Sequence, residues 1–209
     1  CCCRGPADAD KTFTEPWFLG YQLSLGTELF YRQASFLSPL YNQSNYGGAV
    51  QLRKPLFEFV SVNAEYKLEG IDIYDIDDDA PVEISSQEGL YTRSAVSGGL
   101  TFDSRDSLFL TRRGTYVNLT GFVAGGGLGG DVQDYGISLE GSQHILLPWE
   151  FIFLFRGQLA VVDSWGGSDE VPIFDRLFLG GANNLRGFNF REVGPNVDGD
   201  YYGGNSLGY

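Results

Sequence analysis

Few residues of this chain could do chemistry. Its one histidine, His144, falls by alternation on the same strand face as Ser138, Glu140 and Ser142. These do not make a nucleophilic triad, because no sharp strand-to-helix turn presents a serine hydroxyl to a substrate. With no second histidine, and with Cys1, Cys2 and Cys3 all at the N-terminus, an ordinary zinc site has no ligand set. The runs "GGGLGG" and "LGGANNLRG" lack the lysine and hydroxyl residue of a phosphate loop and precede no helix. The acidic run "DIDDDAPVE" lacks the glycine and glutamate spacing of a calcium-binding hand and reads as a solvated loop. The expectation is a protein that is not an enzyme, with no cofactor and no metal. Arg186 stands apart. In "FLGGANNLRGFNFREVGP" a permanently charged fork of five donors sits between Leu185 and the pair Gly187 and Phe188.

The elements that must position Arg186 are strands. In "VSVNAEYKLE", Val60, Val62, Ala64, Tyr66 and Leu68 alternate without exception with Ser61, Asn63, Glu65, Lys67 and Glu69. In "YQLSLGTELFYR", Tyr21, Leu23, Leu25, Leu29 and Tyr31 share one face, and only Thr27 and Phe30 blur the pattern. Similar runs recur through "GGAVQLRKPL", "GLYTRSAVSGGLTFD", "GTYVNLTGFVAG", "DVQDYGISLEGSQHILLP" and "WEFIFLFRGQLAVVD", about seven strands in all. Several reach the roughly nine to eleven residues that a tilted strand needs to cross a bilayer, against about five or six in most soluble proteins.

The connections alternate as well. Those at "KPLFE" and "LLPWE" are tight, and "SRDSLFLTRRG" belongs by alternation on their side, whereas residues 70–89 and 164–203 form long acidic or glycine-rich loops. Aromatic residues gather near the short turns: Trp17, Phe18, Phe57, Phe59, Phe109, Trp149, Phe151 and Phe153. Short turns at one end, long loops at the other and an aromatic girdle describe an antiparallel transmembrane β-barrel, all-β in class.

Composition agrees. The 29 glycines and 15% aromatic residues suit twisted amphipathic strands. A net charge of -13 is the opposite of a nucleic-acid footprint. No segment has the eighteen or so apolar residues of a spanning helix. The chain contains no methionine, so Cys1 is not a translated start, and a processed chain or a fragment is expected. Residues 1–12, with the cysteine triplet, read as a disordered tail or boundary, and residues 13–209 as part of a barrel.

The stretch "FDRLFLGGANNLRGFNFREVGP" resembles the BamA-type barrel-assembly proteins of the outer-membrane insertase superfamily, also called the bacterial surface antigen family. The pattern is carried by Gly180 and Gly181, then Leu185, Arg186, Gly187 and Phe188, then Gly194 and Pro195. "TEPWFLG" with "SLGTELFYR", "RRGTYVNLTG" and "GGNSLGY" are similar to the family's fourth and fifth, ninth and twelfth strands. The resemblance implies a piece of a sixteen-strand barrel whose long extracellular loop folds into the lumen. It implies that Arg186 pairs with an acid on a strand beyond Tyr209, with Glu28, Glu65 and Glu140 as secondary inward-facing partners. Gly187 would let the backbone approach the wall, and Phe188 would anchor the tip by apolar packing. The function implied is folding and insertion of β-barrel proteins into the bacterial outer membrane. Implied partners are the bilayer, unfolded barrel clients, accessory lipoproteins and periplasmic chaperones. A two-partner secretion transporter and a passive porin-like barrel are the alternatives.

Overall fold

The computed structural model describes residues 9–34, 41–77, 80–166, 170–182, 184–197 and 200–209. Its body is one antiparallel sheet of nine strands. In chain order the described strands are β1 (Ala9–Glu15), β2 (Ser24–Ala34), β3 (Asn42–Phe57), β4 (Val60–Tyr74), β5 (Gly89–Asp103), β6 (Gly114–Ala124), β7 (Asp134–Leu146) and β8 (Ile152–Ser164), followed by β9 (Asn196–Val197), β10 (Asp200–Tyr201) and β11 (Ser206–Gly208). Strands β1 to β8 pair in sequence, β11 adds to the free side of β8, and β9 pairs with β10 as a separate ribbon. All these pairings are antiparallel.

The perfect alternation in β4 does what it predicts. Tyr66 and Leu68 are exposed on one face, while Glu69 is buried on the other. Phe30, which blurs the pattern of β2, faces inward and is buried, with Arg32 and Lys67 4.9 and 5.0 Å from its ring. An aromatic ring between two cations is a favourable lining for a polar interior. Pro55, which cannot donate to a ladder, lies where the β3–β4 register shifts. At Gly70 the ring of Tyr46 packs so close that a side-chain carbon would lie 2.5 Å from it.

The expected alternation of connections holds in part. The β1–β2, β3–β4, β5–β6 and β7–β8 connections lie at one end and the others at the opposite end; β3–β4 and β7–β8 turn tightly and the segment after β8 is long, but the β5–β6 connection, residues 104–113, is longer than those at 35–41 and 125–133. Two boundaries differ from the sequence reading. Strand β1 starts at Ala9, so residues 9–12 belong to the sheet and not to a tail. Cys1, Cys2 and Cys3 lie outside the described residues. Strand β4 runs on to Tyr74, which shortens the expected loop at 70–89 and leaves a helical turn, Val82–Ser85, within it. That extension is apolar on the inner face because Ile71 and Ile73 are covered there, together with Tyr41, Ile84 and Ile173. The long segment after β8 supplies the cover.

The two faces of β6 give a direct test. Leu119 is exposed on the outer face at mid-strand, and Asn118 lies on the inner face. In the full-length protein folded in lipid vesicles, Leu119→Arg is expected to cost about 2–4 kcal/mol, and Asn118→Arg much less, read by denaturant unfolding.

Candidate functional site

Inside the sheet, near the long-loop end, one arginine gathers three carboxylates. Arg93 is inward-facing on β5 and almost wholly buried. Its Nε donates to Asp175 Oδ2 at 2.8 Å, Nη1 to Glu69 Oε1 at 3.4 Å, and Nη2 lies 4.0 Å from Asp134 Oδ2. The guanidinium also lies 5.0 Å from the Phe122 ring. Lys67 Nζ closes the network on Glu69 Oε2 at 2.8 Å. Glu69 and Asp134 come from β4 and β7, but Asp175 comes from the segment after β8, 82 residues from Arg93. The network therefore ties a loop to the inner wall.

Apolar contacts and backbone bonds surround that tie. Val171 and Ile173 are buried, and Phe174 lies 5.6 Å from Tyr91. Ile173 N donates to Gln87 Oε1 at 2.8 Å, and Leu177 and Gly204 exchange two backbone bonds of 2.9 Å. Arg176 holds the segment's own shape, donating to the Val171 carbonyl and pairing with Glu170. Residues 170–178 thus form a plug on the inner face of the sheet.

Burial pushes the Asp175 carboxyl up to about 7, against the pull of Arg93, with Asp134 adding repulsion. Asp134 is fully buried, and neither of its carboxylate oxygens accepts a hydrogen bond from a described residue. A proton held between Asp175 and Asp134 satisfies one of those oxygens and leaves Asp175 Oδ2 free to accept from Arg93.

The glycine-rich motif beyond the plug folds as a compact hairpin. Leu179 and Val193 form a bridge, and Gly181 N donates to the Phe188 carbonyl at 3.1 Å. Asn184 Oδ1 accepts from Gly180 N and Leu185 N at 3.0 and 2.7 Å. Gly180, at φ 110°, packs so closely on the Asn189 carbonyl that no side chain fits. Gly187 has a different reason. Its φ is 94° and a side-chain carbon there would meet nothing within 4 Å, so it serves backbone conformation and not approach to the wall. Gly194, at φ 144°, is likewise open, and Pro195 accepts a backbone bond from Tyr202 at 3.3 Å.

The structure does not bring Arg186 to the secondary partners expected for it, Glu28, Glu65 and Glu140. Arg186 is exposed, donates one 3.5 Å bond from Nε to the Ala182 carbonyl, and forms no ion pair with a described residue. Glu28 is engaged by Arg32 at 2.5 Å and Glu140 by Arg156 at 2.7 Å, while Glu65 lies half-buried on the inner face of β4. Phe188, expected to anchor the tip, is 55% exposed. Arg191 anchors the motif at its base instead: its guanidinium stacks 4.0 Å from the Phe178 ring and donates to Tyr41 Oη at 3.2 Å. The sequence reading missed Arg93, Asp134, Asp175 and Arg191. A charged residue at an inward position of β5 was the available signal for Arg93.

A nine-stranded antiparallel wall with a loop plugged into its inner face matches a known domain. The family model of the Omp85 superfamily domain covers residues 7–208. The chain belongs to the Omp85 superfamily. Among its Omp85 relatives, the outer membrane protein assembly factor BamA of Nitratidesulfovibrio vulgaris is 28% identical over 201 residues, which is 95% of this chain and 25% of that protein. The sorting and assembly machinery component 50 homolog of Homo sapiens is 31% identical over 131 residues, covering 61% of this chain and 27% of that protein. The crystal structure of BamA from Haemophilus ducreyi lacking POTRA domains 1-3 superposes with a TM-score of 0.81 at 23% identity, over 96% of this chain and 43% of that one. The Omp85 chain described here thus spans about a quarter of the length of the curated relatives it matches.

The raised Asp175 carboxyl makes plug docking pH-dependent. A carboxyl whose folded value lies above its unfolded one contributes stability below the ordinary carboxylate range and loses it as pH rises through about 7. Hydrogen exchange of residues 170–178, corrected for intrinsic rate, is expected to accelerate between about pH 6 and pH 8. Asp175→Asn, which keeps the acceptor for Arg93 and donates to Asp134, should remove that dependence. Arg93→Met leaves Asp134 and Asp175 without their cation, with only Lys67 remaining on Glu69, and should destabilise the docked state by about 3–5 kcal/mol.

Proposed function

We propose that this chain forms part of the wall and lumenal plug of a bacterial outer-membrane barrel that folds and inserts other β-barrel proteins. The observation that carries this reading is the docked plug. The segment leading into the Gly180 to Pro195 motif is tied to the inner face of the sheet by Arg93 and Asp175, in a chain whose relatives are named as assembly factors. No bond is made or broken. A barrel strand edge pairs main chain to main chain with an incoming client hairpin, the recognition mode of β-augmentation. The plug keeps the wall in shape and closes the lumen while the edge is in use. Unfolded barrel proteins are the clients, and accessory lipoproteins and periplasmic chaperones are the partners.

In this reading the long-loop end faces outward, the short turns face the periplasm, and the exposed apolar face contacts lipid. Arg186, unpaired among the described residues, meets its acid on a strand that follows Tyr209 in the complete protein.

Vesicles containing the full-length protein test the activity. Client barrels should fold faster in them than in empty vesicles, read as the gel shift between unheated and heated samples. Arg186→Ala should slow that folding about tenfold or more, the worth of one charge-assisted hydrogen bond, with strand content unchanged. Client folding at the empty-vesicle rate would contradict the assembly reading.

A further inference from the structure

The turn between β5 and β6 differs from the other three short turns. At its tip Leu108 is 70%, Phe109 102% and Leu110 66% exposed, so three consecutive apolar side chains stand largely clear of the protein. The turn that presents them is well braced. Ser104 N donates to the Thr115 carbonyl at 2.9 Å and Asp106 N to the Arg113 carbonyl at 3.1 Å. Asp106 Oδ1 accepts from Arg112 N and Arg113 N, and Thr111 Oγ1 donates to the Ser107 carbonyl at 2.6 Å. The apolar tip is therefore displayed by a built loop.

The charges are as informative. Arg105 is consumed within the turn, bidentate to Asp103 at 2.8 and 2.7 Å and 4.6 Å from the Tyr116 ring. Arg112 and Arg113 are exposed, and neither guanidinium has a partner among the described residues. The other three short turns also carry exposed aromatics, Trp17, Phe57 and Trp149, but beside Glu15, Glu58 and Glu150. In a chain with a net charge of -13, two adjacent arginines without ion-pair partners among the described residues, next to an apolar tip, make a place on the rim that would attract an anion; Arg53 and Lys54, exposed near the β3–β4 turn, add to the positive charge at this end.

We propose that this turn is a membrane anchor: Leu108, Phe109 and Leu110 enter the periplasmic leaflet beside the barrel, and Arg112 and Arg113 bind the phosphate of an anionic phospholipid. The apolar tip continues the aromatic belt of the neighbouring turns, which sits at the membrane interface. Apolar burial and attraction to anionic lipid act together at such a surface. Each arginine near an anionic surface is worth about 1 kcal/mol, roughly a fivefold gain in occupancy. The inference rests on the membrane-spanning part of the proposed function and not on assembly activity, so its test contains no client.

The full-length protein, carrying photoreactive benzoylphenylalanine in place of Phe109, is folded into vesicles of phosphatidylcholine with a minority of phosphatidylglycerol. It is irradiated, and its adducts are identified by mass spectrometry, with the heat-dependent gel shift confirming that the barrel is folded. The expected adducts are phospholipids, with phosphatidylglycerol enriched several-fold over its share of the vesicle. Arg112→Gln with Arg113→Gln should bring that enrichment down to the vesicle ratio. Salt at about 1 M, where screening shortens to a few ångströms, should do the same without any substitution. Three results overturn the proposal: no lipid adduct, an adduct to protein in place of lipid, or phosphatidylglycerol captured only at its vesicle share.

Discussion

A guanidinium taken out of water must be surrounded by acceptors, and the site of Arg93 is built around that requirement. Two of its carboxylates are supplied by the wall, from Glu69 on β4 and Asp134 on β7, but the shortest bond goes to Asp175 in the segment after β8. Leaving Arg93 with the wall acids alone would break its best hydrogen bond. The plug therefore completes the wall as much as the wall receives the plug.

The count of charges explains why the arrangement can also let go. Three carboxylates face Arg93 and Lys67, and Asp134 is sealed from solvent with both oxygens short of donors. One proton shared with Asp175 relieves both the surplus charge and the missing donor. Around this centre the apolar cover of Ile71, Ile73 and Ile173 excludes water, which strengthens the ion pairing while raising the cost of any unpaired charge. A second clamp, Arg191 on Phe178 and Tyr41, fixes the hairpin motif to the plug's far end without a carboxylate. The motif is thus held at its base while Arg186 and Phe188 at its tip stay exposed.

The wall was legible in the sequence because its cause is local. Alternation from Val60 to Glu69 sets two faces, and proline or aromatic residues mark the short turns wherever the strands lie. The resemblance of the Gly180 to Pro195 motif placed the chain in its family, which the family model over residues 7–208 supports. The plug's tie was not legible, since nothing in "GLYTRSAV" or "IFDRLF" announces a contact across 82 residues. For the same reason the inward apolar pair Ile71 and Ile73 read as loop: their alternation is strand-like, but on the face expected to be polar, and only the covering segment explains it. Gly187 and Phe188 were assigned contacts by resemblance that this sheet does not supply.

The central claim is that Arg93 and Asp175 hold the plug in the lumen. A double-mutant cycle in the full-length protein, with Arg93→Met and Asp175→Leu singly and together, tests it through the hydrogen-exchange protection of residues 170–178. Each single variant should release the segment, and the double variant should recover much of the protection, because both charges are removed together. Full protection in both single variants would contradict the account.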